Sequence, residues 1–323
     1  EEQGTITRSG WNFEGDAVDV GYTFARSFTN TSYANAADSS DAPTVVLRDM
    51  LSGAAINAKY MFEGATGLRN VILEDVACGP SADMRYMFSG ATGISNMVMR
   101  RVATGDNSYM SNMFEGVAAE DATLFPANNK RDVTFDFYEV GYSVVRGADG
   151  APERENGSWT YRTTGSGVRF EHMFEGAFTS NNLGDGTSVA FHMPLDGENV
   201  AGFTSLDQSE VLSRASVASA AYMFFAGQDA SGALLSSHIK NIDLRGLPQI
   251  ATIAGADASL AYMFAGLTDI ETVGYAASLE DGADPDVILP QTYETADSRI
   301  TWRTDSITDM SYMFAGCTSL VRF

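Results

Sequence analysis

The sequence is poor in several residue types, and each shortage excludes a class of protein. Cysteine occurs twice in 323 residues, at Cys78 and Cys317, which is too few for a disulfide scaffold and wrongly spaced for a zinc site. Basic residues number 20 against 42 acidic ones, so the net charge is −22, and we expect no nucleic-acid partner. No apolar run approaches the ~20 residues of a membrane-spanning helix, so we expect no transmembrane segment in this chain.

Histidine is also scarce, which limits the catalytic options. The sequence has three, at His172, His192 and His238. His172 takes a position that is tyrosine in most copies of a repeat described below, His192 belongs to an alternating pattern that turns it toward solvent, and His238 lies in a serine-rich stretch. No metalloprotease, nucleophile-elbow or phosphate-loop motif occurs. We therefore predict no catalytic residue, no cofactor and no enzymatic activity.

A short motif, by contrast, recurs along the whole chain. Met-Phe-x-Gly occurs six times, and a seventh copy carries one extra residue before its glycine. Tyrosine precedes the methionine in five copies, and the first three copies are 26 residues apart. The later gaps of 60, 50, 40 and 50 residues indicate insertions between units. The structural repeat residues are Met61, Phe62, Gly64, Met87, Phe88, Gly90, Met113, Phe114, Gly116, Met173, Phe174, Gly176, Met223, Phe224, Gly227, Met263, Phe264, Gly266, Met313, Phe314 and Gly316.

A second series of residues has the same period. Triplets that begin at Val45, Val71, Met97 and Thr123 follow one another at intervals of 26 residues. Two independent motifs with one period indicate a structural repeat. A unit this small cannot bury its apolar side chains alone, so consecutive units must stack.

The Met-Phe motif itself has the spacing of a helix face. Met84, Met87 and Phe88 stand at i, i+3 and i+4, which predicts a short amphipathic helix. The glycine that follows suits a left-handed helix end. Asp83 and Asp309, just before the apolar positions, are the predicted N-caps.

The second part of each unit has the L-x-x-L-x-L spacing of a leucine-rich-repeat strand, as in Leu68-x-x-Val71-x-Leu73. We therefore predict an α/β repeat fold, a leucine-rich-repeat-like solenoid with one parallel strand and one short helix per unit. Burial of each phenylalanine should contribute roughly 1.5–3 kcal/mol. Residues 1–44 are predicted to form an N-terminal cap with a degenerate repeat. Residues 45–323 are predicted to form the solenoid, with insertions near 117–168, 177–215, 228–238 and 276–306.

The last repeat carries a resemblance to a known family. From Trp302 to Leu320 the sequence reads WRTDSITDMSYMFAGCTSL. It closely resembles the 26-residue bacterial surface protein repeat of the BspA-like leucine-rich-repeat surface proteins. The resemblance extends over residues 45–125 and 168–323 with gaps, and it implies a secreted or wall-attached bacterial protein, often an adhesin, without implying one ligand. The matching positions are Trp302, Met310, Met313, Phe314, Gly316, Cys317 and Leu320.

Three features have both a functional and a purely structural interpretation. Asp281, Asp284 and Asp286 form a weak calcium candidate, although a solvated acidic loop is the favoured interpretation. The tyrosines before Met-Phe would suit a sugar-stacking ladder, but we favour packing at the edge of the neighbouring unit with the hydroxyls in water. Cys317 stands where other copies have Ala, Val or Leu, so we interpret it as a packed free thiol.

Architecture and resemblance together lead to a functional expectation. We expect a monomeric, non-enzymatic protein at the bacterial cell surface or outside the cell. It would mediate adhesion or protein–protein interaction with a host or neighbouring-cell macromolecule, either protein or glycan. The strong negative charge suggests a basic partner. The alternative is a structural spacer that projects another domain of a longer surface protein, and the abrupt end of the last unit at Phe323 is consistent with a longer chain.

Overall fold

A computed structural model gives the fold of the chain. It describes residues 5–8, 12–13, 17–29, 42–52, 55–77, 79–120, 130–144, 154–155, 158–159, 161–163, 166–192, 216–244, 246–247, 249–250, 258–271, 273–274 and 306–321. Within these residues the chain forms strands and turns, and none of it is helical. The polypeptide winds as a coil, and each turn of the coil, here called a rung, lies directly on the one before it.

The main sheet is parallel, and its strands follow one another in chain order. They are β1 (Thr5–Arg8), β4 (Thr44–Ser52), β6 (Asn70–Val76), β7 (Asn96–Val102), β8 (Thr134–Tyr138), β14 (Ser188–Phe191), β16 (Asn241–Asp243) and β19 (Val273–Gly274). A short strand, β2 (Asn12–Phe13), pairs with the end of β4. In the pairing of β6 with β7, residues that are 26 positions apart in the sequence lie opposite each other, such as Val71 and Met97.

A second series of short parallel strands runs along another side of the coil. It begins with β3 (Ala17–Asp19) and β5 (Ala55–Asn57), and continues through single bridges at Asp83 and Tyr109. The series then includes β13 (Ser166–Arg169), β15 (Ser216–Ser219) and β17 (Gln249–Ile250), and farther on β18 (Ala258–Ser259) and β20 (Ile307–Asp309). Two small antiparallel pairs lie between β8 and β13 in sequence: β9 (Ser143–Val144) with β12 (Tyr161–Thr163), and β10 (Arg154–Glu155) with β11 (Ser158–Trp159).

The Met-Phe segments are successions of tight turns, so the prediction of a leucine-rich-repeat-like α/β fold with one helix per unit is wrong. In the second copy, Tyr86 and Gly90 have φ values of +58° and +66°, which no right-handed helix contains. The Phe88 N–H donates to the Met113 carbonyl of the next rung at 2.9 Å, instead of to a residue four positions back. Tight turns that bury the same side chains reproduce the i, i+3, i+4 pattern.

The predicted helix caps have a different role for the same reason. The Asp83 carboxylate accepts the N–H of Arg85 at 3.3 Å, and that of Asp309 accepts the N–H of Ser311 at 2.8 Å. A carboxylate that accepts the backbone N–H two residues later forms an Asx turn, which mimics a backbone turn. Asp83 and Asp309 therefore fix the chain direction at the start of their own turn segments.

One continuous stack of phenylalanines runs through the hydrophobic core. Consecutive rings are parallel to within 18°, with centroids 5.1–5.8 Å apart. The methionines beside them are buried, and the Ala or Val positions equivalent to Cys317 are fully covered as well. The stacked residues are Phe24, Phe62, Phe88, Phe114, Phe174, Phe224, Phe264 and Phe314.

The main sheet keeps its register where the sequence period is interrupted. The predicted strand at Thr123 falls in residues 121–129, outside the described part. The strand that pairs with β7 is β8, with Thr134 opposite Asn96. Side-chain hydrogen bonds follow the same line, because Asn96 donates to Asn70 at 2.8 Å and accepts from Thr134 at 3.2 Å. The predicted insertions at 117–168 and 177–215 therefore each contain one strand of the main sheet, β8 and β14 respectively.

Candidate interaction surface

The residue two positions before each stacked phenylalanine belongs to a second, mostly aromatic series, which we call the tyrosine row. Its rings stack face to face, with centroids 4.7–5.1 Å apart. These distances match the spacing of neighbouring β-strands, because the backbone of each rung sets the position of its ring. The eight positions of the row are Tyr22, Tyr60, Tyr86, Asn112, His172, Tyr222, Tyr262 and Tyr312.

The row lies at the protein surface. Its inner members are partly exposed, whereas Tyr22 and Tyr312 at the two ends are 60% and 65% exposed. Every position has a φ between +54° and +59°, a left-handed conformation that non-glycine residues rarely adopt. The neighbouring Met61 and Phe62 are completely buried. The repeat therefore presents a series of partly exposed rings next to fully buried core residues.

The fourth position of the row holds Asn112, whose amide donates to a Glu115 carboxylate oxygen at 3.3 Å. The next rung repeats this geometry, because a His172 ring nitrogen lies 2.7 Å from a Glu175 carboxylate oxygen. Burial raises the pKa of Glu115, and the nearby negative charge of Glu175 raises it further. The middle of the row therefore has two acidic side chains on adjacent rungs.

A charged cluster lies next to the row and is formed by residues that come just before Tyr60 and Tyr86 in the sequence. Asp83 accepts hydrogen bonds from Arg85 at 2.7 Å and pairs with Lys59 at 3.1 Å. Burial acts to raise the pKa of Asp83, but these hydrogen bonds outweigh it and hold the pKa below its usual value. The Arg85 and Arg169 guanidiniums lie over the Tyr109 ring at 5.1 and 5.9 Å. In this protein, arginine on an aromatic face is thus a recurrent contact.

The outward side chains of the main sheet form ion pairs that connect rungs. Arg101 bonds Asp75 at 2.8 Å and reaches Glu74 at 2.8 Å, and Glu74 also pairs with Arg48 at 3.0 Å. Burial alone would lower the pKa of Arg101, but the ion pair with Asp75 outweighs it and raises the pKa. These bonds link consecutive rungs, so their evident role is to fix the stack.

The outer side of β8 carries a second aromatic contact. Arg100 lies 4.2 Å above the Tyr138 ring, which in turn stacks on His192 at 4.3 Å. A His192 ring nitrogen is 2.7 Å from an Asp136 oxygen, so His192 is held in a polar contact on this face. This contact involves only the two rings of Tyr138 and His192, whereas the tyrosine row extends over many rungs.

The remaining predicted residues lie apart from one another. His238 contacts Asp269 at 3.1 Å, next to Lys240, and the Cys317 thiol donates to the Phe264 carbonyl at 3.0 Å. Cys317 is a free thiol, and burial raises its pKa. The calcium candidates Asp281, Asp284 and Asp286 fall in 275–300, outside the described residues.

Two further observations concern the described part of the chain as a whole. Among its residues, no three His, Cys, Asp or Glu side chains converge to hold a metal ion. It likewise contains no helical segment with the length and hydrophobicity required to span a bilayer.

From the sequence alone, a ladder of tyrosines is one interpretation, and packing at the edge of the neighbouring unit is the favoured one. Only the structure gives the full extent of the row. The available signal was positional, since Tyr22 and His172 stand in the same place in their units as the other tyrosines. In the structure, Tyr22 stacks on Tyr60 at 4.7 Å and His172 stacks on Tyr222 at 4.7 Å. The row thus includes Tyr22, whose segment lacks the Met-Phe-x-Gly motif.

The regularly spaced repeats are similar to a known protein-family model. A family model described as "Mycoplasma protein of unknown function, DUF285" matches residues 50–136 and 291–322. The matched stretches contain the regularly spaced rungs around Met61, Met87 and Met113 and the last rung around Met313. No curated protein and no solved structure matches the chain.

Proposed function

We propose that this chain is a non-enzymatic bacterial surface or secreted protein that binds a host or neighbouring-cell macromolecule along the tyrosine row. The observation that carries the proposal is the row itself, in which rings from rung after rung stack at the surface with partial exposure. Tyrosine combines a large apolar ring with a polar hydroxyl, and it is enriched at binding interfaces for this reason.

The rigidity of the row favours binding. Each ring is held by stacking on its neighbours and by a backbone that bonds the next rung, as in the Tyr222 N–H to Ala261 carbonyl bond of 2.8 Å. A side chain that is already ordered loses little conformational entropy when a partner covers it. The net charge of −22 adds attraction for a basic partner and increases the rate of encounter.

The repeat sequence supports the more specific part of the proposal. The match to a Mycoplasma family model falls on the same repeats that resemble those of the BspA-like surface proteins. Proteins of that kind lie at the bacterial surface or outside the cell, so we propose the same location and an adhesive role for this chain. The match itself names neither a partner nor a location.

The phenylalanine stack favours a second function, that of a rigid spacer. Stacked rings, side-chain bonds between Asn70 and Asn96, and ion pairs such as that of Arg101 with Asp75 all join consecutive rungs. A coil joined in this way resists bending, and it would hold another part of a longer surface protein at a distance from the cell.

Binding of the purified chain to an array of extracellular-matrix proteins and glycans distinguishes the two functions. The array is probed at low salt and again at physiological salt. A saturable signal that survives physiological salt supports binding, because purely electrostatic contacts between exposed charges weaken as salt rises. A folded protein that binds nothing on the array contradicts the binding proposal and supports the spacer.

A further inference from the structure

The tyrosine row contains one gap, at Asn112. Tyr86 stacks on Tyr60 through one ring face, and His172 stacks on Tyr222 through one ring face. The other face of each ring is directed toward the rung of Asn112, which carries a side chain too short to fill the place of a ring. Tyr86 and His172 are two rungs apart, about 10 Å, which is the separation of two rings with one further flat group between them.

The edge of this gap is acidic. Glu115 belongs to the same rung as Asn112, and Glu175 takes the equivalent place one rung farther on, next to His172. Both carboxylates are only partly exposed. A cation between them would relieve the repulsion that contributes to the raised pKa of Glu115. An occupant of the gap should therefore be both flat and positively charged.

We propose that the gap binds an arginine side chain of a basic partner polypeptide, with its guanidinium between the Tyr86 and His172 rings and bonded to Glu115 and Glu175. Arginine is the side chain that combines a planar cation, which stacks on aromatic rings, with several donors for carboxylates. The chain uses the same contact internally, where Arg100 lies 4.2 Å above Tyr138. This assignment rests on the proposed binding function and adds the chemistry that the partner must present.

Lysine provides the natural comparison. Its ammonium group carries the same charge, but it is compact and strongly hydrated and does not stack as a flat group. A gap that selects for shape as well as charge therefore prefers arginine. A surface that attracts any cation through the overall charge of −22 treats the two residues alike.

The test uses two capped tripeptides, acetyl-Gly-Arg-Gly-amide and acetyl-Gly-Lys-Gly-amide, and follows the histidine ring protons by NMR. His172 lines the gap, whereas His192 and His238 lie elsewhere and serve as internal controls. The arginine peptide should shift the His172 signals saturably and leave the other two unchanged. The lysine peptide should bind about tenfold more weakly. Equal binding of both peptides, or a His172 signal that does not move, would overturn the proposal.

Two variants and one matched control show whether the arginine peptide binds in this gap. Asn112→Tyr supplies the missing ring in a conformation that Tyr86 and Tyr222 already adopt, and should weaken arginine-peptide binding about tenfold. Asn107→Tyr makes the same substitution at an exposed asparagine that also has a positive φ, and should bind like the parent protein. Glu115→Gln keeps the rings, removes one charge and should also weaken binding. Parent-like affinity in both Asn112→Tyr and Glu115→Gln would contradict the assignment.

The arginine assignment and the proposed binding function can fail independently of each other. If the tripeptides do not bind but a macromolecular ligand still requires the tyrosines of the row, the arginine assignment is wrong and the binding surface stands. If the macromolecular ligand is indifferent to the tyrosines, the proposed function is wrong, whatever the tripeptides do.

Discussion

The ring of Phe114 stacks on the ring of Phe174 at a centroid distance of 5.1 Å, although the long segment 115–173 separates them in the chain. The backbone agrees, because the Phe114 N–H donates to the Met173 carbonyl at 2.8 Å. Rungs of very different length therefore keep the same register at their turn segments. Inserted residues leave the phenylalanine stack unbroken, and the positions of the tyrosine row stay aligned along the coil for the same reason.

Phe114→Ala should strongly destabilise the protein. Phe114 is fully buried and contacts rings on both neighbouring rungs, so the substitution leaves a cavity in the stack. We expect a loss of about 3–5 kcal/mol in the free energy of unfolding, measured by chemical denaturation. Tyr312→Ala is the control, because Tyr312 is 65% exposed, and it should cost less than about 1 kcal/mol. Equal costs would show that the phenylalanine stack is not the core.

Two glycines should respond differently to alanine. Gly116 has a φ of +68° and open space around it, so Gly116→Ala adds backbone strain alone, about 1 kcal/mol. A methyl group at Gly93 would overlap the Thr66 carbonyl oxygen of the preceding rung. Gly93→Ala should therefore cost several times more or prevent folding. Thermal unfolding of the two variants ranks them, and the reverse order would contradict the close contact between these rungs.

Glu115→Gln should stabilise the folded protein at neutral pH. Burial and the charge of Glu175 raise the pKa of Glu115 in the folded state, so its ionised form opposes folding. Removing the charge should add less than about 1 kcal/mol, since the side chain is partly exposed. The gain should disappear as the pH falls and Glu115 in the parent protein becomes protonated. A gain that is independent of pH would contradict this explanation.

Asp83→Asn should act in the opposite direction. Hydrogen bonds from Arg85 and Lys59 outweigh burial and lower the pKa of Asp83, so its charge stabilises the fold above the pKa of the unfolded chain. We expect a loss of about 1–2 kcal/mol at neutral pH. The loss should shrink as the pH falls through the lowered pKa of the folded state. Unfolding measured from pH 7 to acid conditions, with the exposed Asp49→Asn as control, checks this.

The repeat and its parallel strands could be predicted from the sequence, because burial on every rung imposes the same residue types at the same interval. Val71 and Met97 stand 26 residues apart in the sequence and opposite each other in the sheet. The turn segment could not be distinguished from a helix in this way. A helix and a series of turns bury Met84, Met87 and Phe88 alike, and nothing in a tyrosine indicates that Tyr86 has a positive φ.

The candidate surface was harder to predict for a related reason. The sequence shows tyrosine before methionine, but stacking depends on the register between rungs, which insertions of unequal length conceal. The position of Asn112 becomes meaningful only when Tyr86 and His172 are known to flank it. The coil brings together side chains that lie far apart in the sequence, and a linear motif does not show which of them become neighbours.

Alanine substitution in the tyrosine row shows whether the row is the binding surface, as proposed. Affinity for the strongest ligand on the array is compared among the parent protein, Tyr86→Ala, Tyr222→Ala and the control Tyr138→Ala on the outer face of β8. Each row variant should weaken binding about tenfold, while the control should bind like the parent. Row variants that bind like the parent, or a loss confined to Tyr138→Ala, would contradict the account.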